Sequence, residues 1–264
     1  METDYIKQGD CLYLMKSLPD DCIDLVVTSP PYDGLRDYNG YSFDFENIAK
    51  ELFRVVKDGG VVVWIVCDAI IDGSESGTSF KQALYFKEIG FNIHDTMIWM
   101  KDCFTFPDPT RYPQCFEYMF VLSKGRPKSV HKLQDRRNKW YGAMVHGTSR
   151  DIDGTTFRKS NDKKSSVKEF GERYNVWEVS SEKNNKTGHP AVFPVSLAKD
   201  HIVSWSEEGD IVLDPFMGSG TTAIACKDTR RHYIGFEISE EYCKIATERV
   251  MNYIPLHSIP LFST

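Results

Sequence analysis

A serine, two prolines and a tyrosine, Ser29-Pro30-Pro31-Tyr32, stand where the apolar run Ile23-Asp24-Leu25-Val26-Val27-Thr28 ends. The run reads as a buried strand. Neither proline has an N–H to donate, so the ladder cannot continue and the chain leaves the strand as a stiff, extended loop. In open α/β sheets the C-terminal edge of the strands is where ligands bind. At that edge the loop offers a hydroxyl, carbonyls without ladder partners and an aromatic face. Such a set suits a flat ring carrying an amine: the oxygens accept from the amine while Tyr32 stacks on the ring. The plainer alternative is a Pro-Pro turn with a packed tyrosine.

A second constellation lies near the other end. Ile211-Val212-Leu213-Asp214-Pro215-Phe216-Met217-Gly218-Ser219-Gly220-Thr221-Thr222-Ala223 reads as a strand, a glycine turn and a helix start. Gly218 and Gly220 let the backbone turn tightly and approach a ligand closely. The next strand, Tyr233-Ile234-Gly235-Phe236, ends in Glu237, whose carboxylate can accept from both hydroxyls of a ribose. Gly218, Gly220 and Ala223 also fit the dinucleotide spacing G-x-G-x-x-A with an acid downstream, so a nicotinamide oxidoreductase competes on this motif alone. Two features weigh against it. The Asp214 carboxylate suits a ligand bearing an amine, such as methionine's, better than a pyrophosphate. Only 41 residues follow Ala223, enough for one more strand and helix. The sheet must therefore take its other strands from the N-terminal part.

The elements that would position these loops alternate between strand and helix. Strands are expected at 6–8, 23–28 and 61–66, with helices at 12–17, 43–56 and 80–88. The helix over 43–56 follows from apolar residues at 45, 48, 49, 52, 53 and 56, and Asp58-Gly59-Gly60 should stop it. Segments 92–100 and 115–122 read as two strands, antiparallel at the sheet edge. Residues 123–181 break the rhythm, being polar, basic and poorly periodic. A helix over 194–206, a strand over 210–214, a helix over 220–228, a strand over 232–237 and a closing helix over 240–253 complete the chain.

A chain of 264 residues fits one large α/β domain or two small ones, and 41% hydrophobic content suffices for a sizeable core. The longest apolar stretch, Val61 to Cys67, is too short to span a bilayer, and the N-terminus lacks signal-peptide order. The seven cysteines show no Cys-x-x-Cys spacing, which argues against zinc or a disulfide framework and for free thiols in a reducing cytoplasm. Residues 124–173 hold fourteen Lys/Arg and six Asp/Glu; this segment carries +8 and the rest of the chain −14, against a total of −6. A basic segment on an acidic body is the footprint of a face that meets phosphates, the alternative being a solvated loop.

With Thr-Ser-Pro-Pro-Tyr near the N-terminus and Asp-Pro-Phe-x-Gly-Ser-Gly-Thr-Thr near the C-terminus, the chain resembles the β-class DNA amino methyltransferases. His189-Pro190-Ala191-Val192-Phe193-Pro194 resembles the family's segment before the cofactor strand, and Gly9-Asp10 its adenine-side turn. The likeness covers essentially all of the chain except about residues 124–175. It implies an α/β, Rossmann-like methyltransferase sheet with circularly permuted motif order. The catalytic half would be 1–123, a basic target-recognition insertion 124–180, and the cofactor-binding half 181–264.

The resemblance also implies S-adenosylmethionine as cofactor and no metal. Asp214, Phe216, Gly218, Gly220 and Thr221 would line its methionine and ribose portion, Glu237 would hold the ribose hydroxyls, and Asp10 the adenine amine. His189, Pro190 and Phe193 would close the methionine side. Catalysis would rest on Ser29, Pro30, Pro31 and Tyr32, with the target base flipped out of double-stranded DNA. Arg36 would contact phosphate beside that base, and Lys132, Arg136, Arg137, Lys139, Arg158 and Lys159 would supply the basic insertion's contacts. A serine at position 29 resembles the cytosine-N4 group, whereas the adenine group usually carries Asp or Asn, so both bases stay open with cytosine ahead. DNA methylation in a restriction-modification setting, a cognate restriction enzyme and a homodimer follow by analogy. A catalytically silent DNA-binding protein on the same fold, and an RNA or small-molecule amine methyltransferase, are further alternatives.

Overall fold

Every residue of the strand Ile23–Thr28 is buried, as a run of Ile, Leu and Val covered on both faces must be. It lies in the middle of the fold. The structure is a computed structural model that describes residues 1–31, 43–102, 109–144, 148–158, 166–181 and 193–255. In chain order its elements begin β1 (Tyr5–Gln8), α1 (Cys11–Met15), β2 (Ile23–Thr28), α2 (Phe45–Val55), β3 (Val56–Val66), β4 (Ile70–Ile71), β5 (Ser74–Glu75) and α3 (Thr78–Glu88). They continue with β6 (Asn92–Met100), β7 (Phe116–Ser123), β8 (Arg136–Arg137), β9 (Thr148–Arg150), β10 (Thr156–Arg158), β11 (Phe170–Gly171) and β12 (Val176–Glu178). The last are α4 (Val195–Trp205), β13 (Ile211–Asp214), α5 (Thr221–Thr229), β14 (His232–Glu237) and α6 (Glu240–Met251).

Eight strands form one sheet in the order β1-β14-β13-β2-β3-β7-β6-β12. β7 runs antiparallel to both its neighbours, and the remaining pairs are parallel. From β13 the chain crosses to β14 on one side; from β2 it crosses to β3 on the other. The strand order therefore reverses between β13 and β2, and the crevice at their C-terminal ends is the fold's binding position. The helices pack on the sheet, α5 buried nearly all round. α2 presents Ile48, Ala49, Leu52 and Val55 to the core, and Asp44 caps its first turn. Phe45 packs edge-on against Phe86 at 5.3 Å and lies 6.0 Å from Trp64.

Two expectations are corrected here. Asp58-Gly59-Gly60 does not stop the helix, which ends at Val55, but lies inside β3, which begins at Val56. The β2–β3 register shifts between Ile23 and Leu25, so the glycines occupy a bulge. Gly59 has φ +80°, and a Cβ on Gly60 would come within 3.0 Å of the Asp24 carbonyl. Strands β6 and β7 are antiparallel as read, but they are not the edge. β12 pairs with β6 in parallel and seals that side. Its Trp177 stacks on His201 of α4 at 4.4 Å, and the Trp99 indole N–H donates to the Val179 carbonyl at 2.8 Å.

The chain divides into two compact units, Met1–His131 with Asn175–Thr264, and Lys132–Tyr174. The second unit is narrower than the insertion expected over 124–180, because residues on both flanks belong to the sheet unit. Within it, β8 pairs with β11 and β9 with β10, all antiparallel. Among the described residues no helix is long and apolar enough to cross a membrane.

Candidate active site

Four chain segments leave the C-terminal ends of β1, β2, β13 and β14, and all four take part in one site. A cleft open to solvent is lined by Gly9, Cys11, Pro31, Pro215, Phe216, Glu237 and Ile238. It joins the Pro-Pro loop of the N-terminal half to the glycine loop of the C-terminal half.

Local chemistry shapes each wall. After β1, Gly9 donates its N–H to the Glu237 carbonyl at 2.9 Å, and Asp10 caps α1 by accepting the Leu12 N–H at 2.8 Å. The glycine loop after β13 turns back on itself. Met217 N–H bonds the Phe236 carbonyl at 2.8 Å, and Gly220 N–H bonds the Met217 carbonyl at 3.0 Å. Gly218 and Gly220 both have positive φ, +54° and +86°, which glycine adopts without steric cost. The Gly218 N–H is held by Glu237 Oε2 at 2.8 Å, and Oε1 of the same carboxylate accepts from Ser239 N–H at 2.9 Å. Phe216 projects between the cleft and the aromatic core, 5.7 Å from Phe43 and 6.3 Å from Trp64.

Asp214 directly precedes the lining residue Pro215, is itself not among the lining residues, and is 1% exposed. Its Oδ1 accepts from Thr28 Oγ1 at 2.6 Å and from Phe216 N–H at 3.0 Å; its Oδ2 accepts from Thr222 Oγ1 at 2.7 Å. Burial pushes its carboxyl up to about 6, against the three hydrogen bonds that favour the anion. Glu237 is also raised by burial, opposed by the N–H groups of Ser239 and Gly218.

Of the residues singled out in the sequence, Pro31, Phe216 and Glu237 line the cleft directly. Ser29 and Pro30 directly precede Pro31, and Asp10 lies between the lining residues Gly9 and Cys11. Thr221 is buried, with Arg249 Nη1 of α6 3.4 Å from its hydroxyl, and is not among the lining residues. Phe193 stands half-buried just before α4. Tyr32, Arg36, Lys159, His189 and Pro190 lie outside the described residues. In the 132–174 unit, Lys132 pairs with Glu172 at 3.0 Å and Arg137 stands 3.9 Å from Glu169. Arg136 lies over the Tyr174 ring at 4.4 Å, Lys139 lies over Trp140 at 5.6 Å, and Arg158 ends β10.

The sequence reading missed Thr28 and Thr222, which hold Asp214, and Cys11, Pro215 and Ile238, which line the cleft. Each is adjacent to, or within, a motif already singled out, so adjacency was the available signal. Among the described residues no group of three or more His, Cys, Asp or Glu could hold a metal ion.

The DNA methylase family profile, of N6 and N4 methyltransferases, matches residues 23–248. The orphan methyltransferase M.BamHII of Bacillus amyloliquefaciens is 58% identical over 252 residues, covering 92% of this chain and 94% of that protein. Among solved structures, PvuII DNA methyltransferase, titled cytosine-N4-specific, superposes with a TM-score of 0.68 at 23% identity, over 96% of this chain and 89% of that one. The M1.HpyAVI–SAM complex superposes with a TM-score of 0.61 at 24% identity, over 93% and 98%. These two likenesses are of fold. The profile runs from β2 through most of α6, spanning both loops that meet at the cleft, and the chain belongs to the DNA methylase family.

Proposed function

We propose that the chain methylates the exocyclic N4 amine of a cytosine flipped out of double-stranded DNA, with S-adenosylmethionine as methyl donor. One observation carries the reading: the two loops that the reaction needs meet at one sheet edge. Ser29 follows Thr28, and Thr28 is bonded at 2.6 Å to Asp214, the residue that opens the glycine loop.

The residues present fit that donor. Pro215, Phe216 and Ile238 give the cleft apolar walls suited to a flat adenine, and Glu237 brings a carboxylate to it. The Glu237 carboxylate accepts the Gly218 and Ser239 N–H groups and retains acceptor capacity for a ribose hydroxyl. Asp10 would take the adenine amine; Phe193, with His189 and Pro190, would close the methionine side; Gly218, Gly220 and Thr221 would supply the loop around it. S-adenosylmethionine supplies a methyl group carried on a sulfonium sulfur.

The chain's own residues do the rest. A cytosine amine is buried in Watson–Crick pairing, so the base must leave the stack before it can react. Tyr32 stacks on the flipped ring. The Ser29 hydroxyl and the Pro30 carbonyl accept the two N–H bonds of the amine. That pair of acceptors draws the nitrogen toward tetrahedral geometry and frees its electron pair from the ring. Positioning and electrostatics are sufficient, without a strongly basic side chain. Serine at position 29 supports cytosine over adenine. The 132–174 unit is read as the target-recognition region on its basic charge, with Arg36 at the phosphate beside the flipped base. Double-stranded DNA in the cytoplasm is the proposed partner; a restriction enzyme of the same specificity and a second copy of the chain are the further partners this reading brings.

Incubation of plasmid DNA with tritiated S-adenosylmethionine, then nucleoside mass spectrometry, tests this. N4-methylcytosine is expected. N6-methyladenine would overturn the choice of base, and no labelled base on DNA of varied sequence would overturn the activity.

A further inference from the structure

The backbone ladder between β13 and β2 is short. It pairs Val212 with Leu25 and Leu213 with Val26, and it ends there. Asp214 and Thr28 lie beyond its last pair, at the point where both loops begin. On its other side β2 stays in register with β3 as far as Thr28 opposite Trp64. What joins β13 to β2 at the site is therefore side-chain chemistry. Thr28 Oγ1 donates to Asp214 Oδ1 at 2.6 Å, and the same oxygen accepts the Phe216 N–H at 3.0 Å. Thr222 Oγ1, at the start of α5, donates to Oδ2 at 2.7 Å and stands 3.3 Å from the Val27 carbonyl. Thr28 is fully buried and Asp214 is 1% exposed. Both Asp214 oxygens are engaged by these donors.

We propose that Thr28 is a positioning residue: through Asp214 it couples the glycine loop, where Phe216 lines the donor cleft, to Ser29 and Pro30, which hold the target amine. This rests on the methyltransferase reading above. A single oxygen, Asp214 Oδ1, accepts from the residue before Ser29 and from the backbone of Phe216. Any shift of the Pro215–Phe216 segment on donor binding must move or retension the Thr28 hydroxyl, and with it the end of β2. The coupling needs a hydroxyl at position 28 and nothing else of the side chain.

The test uses the full chain and two substitutions. Thr28→Val keeps the shape and removes the donor; Thr28→Ser keeps the donor. Three quantities are measured: the Kd for S-adenosylmethionine by calorimetry, kcat for methyl transfer to DNA at saturating donor, and backbone amide exchange with and without donor. For Thr28→Val, kcat should fall about tenfold or more while Kd stays within about threefold of wild type. Donor-induced protection should persist at Phe216 and Gly218 but vanish at Ser29. Thr28→Ser should restore both kcat and the Ser29 protection. A Thr28→Val enzyme with wild-type kcat overturns the proposal. So does one whose rate loss is matched by an equal loss of affinity, or one that serine does not rescue. If Thr28→Val does not fold, wild-type exchange decides, and lack of donor-induced protection at Ser29 overturns the coupling. A wild-type chain that methylates no DNA overturns the functional reading itself; an active wild type with an unaffected Thr28→Val overturns only the coupling.

Discussion

Glu237, at the end of β14, reaches across to the glycine loop and holds the Gly218 N–H at 2.8 Å, so the acid of one strand sets the shape of the turn after its neighbour. Its other oxygen takes the Ser239 N–H at 2.9 Å, just ahead of α6. The carboxylate thus both lines the cleft and fastens the loop that forms it. Glu237→Gln would place an amide N–H against one of those backbone donors. Affinity for S-adenosylmethionine should fall about tenfold or more, or about 1.4 kcal/mol, by isothermal titration.

Gly220 starts α5 at φ +86°, and a Cβ there would lie 3.1 Å from Val250 Cγ2 and 3.3 Å from Ala246 Cα. Gly220→Ala therefore meets backbone strain and a crowded contact with α6 together. A loss of about 1–3 kcal/mol is expected, measured as a lower midpoint in urea unfolding at unchanged m-value.

The pH dependence follows from Asp214. Burial raises its carboxyl from 3.8 to about 6 in the folded chain. Between those values the folded state holds a proton that the unfolded state has released. Stability from this group is therefore full below pH 3.8 and is lost as pH rises through about 6, a change of order 3 kcal/mol. Activity should run the other way, because the anion accepts from Thr28 and Thr222 more strongly than the neutral carboxyl does. Asp214→Asn should flatten the stability slope in thermal melts across pH 4–7 (roughly the window set by this carboxyl). It should also remove the corresponding rise in kcat/KM.

Asp214→Ala and Tyr32→Ala should separate donor binding from turnover. The first leaves two buried hydroxyls and the Phe216 N–H without their acceptor, each costing about 1–3 kcal/mol, and S-adenosylmethionine binding is lost. The second leaves donor affinity at the wild-type value while methyl transfer falls. Calorimetry and a methylation assay on the same preparations check both.

In the 132–174 unit the cations divide by what already occupies them. Arg136 Nε donates to the Glu172 carbonyl at 2.8 Å and its guanidinium covers Tyr174, so Arg136→Ala should destabilise the unit by about 1–2 kcal/mol. Lys139 lies over an exposed tryptophan. Lys139→Ala should weaken DNA binding about equally across sequences and lower the slope of log affinity against log salt by about one. Fluorescence anisotropy at several salt concentrations reads that slope.

The amino-acid sequence by itself determined most of the main sheet's strands, its helices and the two loops. Prolines at 30 and 31 end a strand whatever surrounds them, and Asp-Pro-Phe with Gly218 and Gly220 announces a turn between strand and helix, because these are properties of local backbone chemistry. The α/β class was legible for the same reason: periodicity needs only neighbours in the chain. The rest depended on contacts between residues far apart. Val176–Glu178 is too short to show a period, and it is a strand only because β6 offers an edge and His201 a surface for Trp177. Gly59 and Gly60 look like a helix stop, yet β2 draws them into a bulge. Asp214 reads as a ligand group for a cation, but the fold buries it and gives both its oxygens to Thr28, Thr222 and Phe216. Which side chain faces a cleft and which faces a partner 186 positions away is a property of strand order, and strand order exists only once the chain has folded.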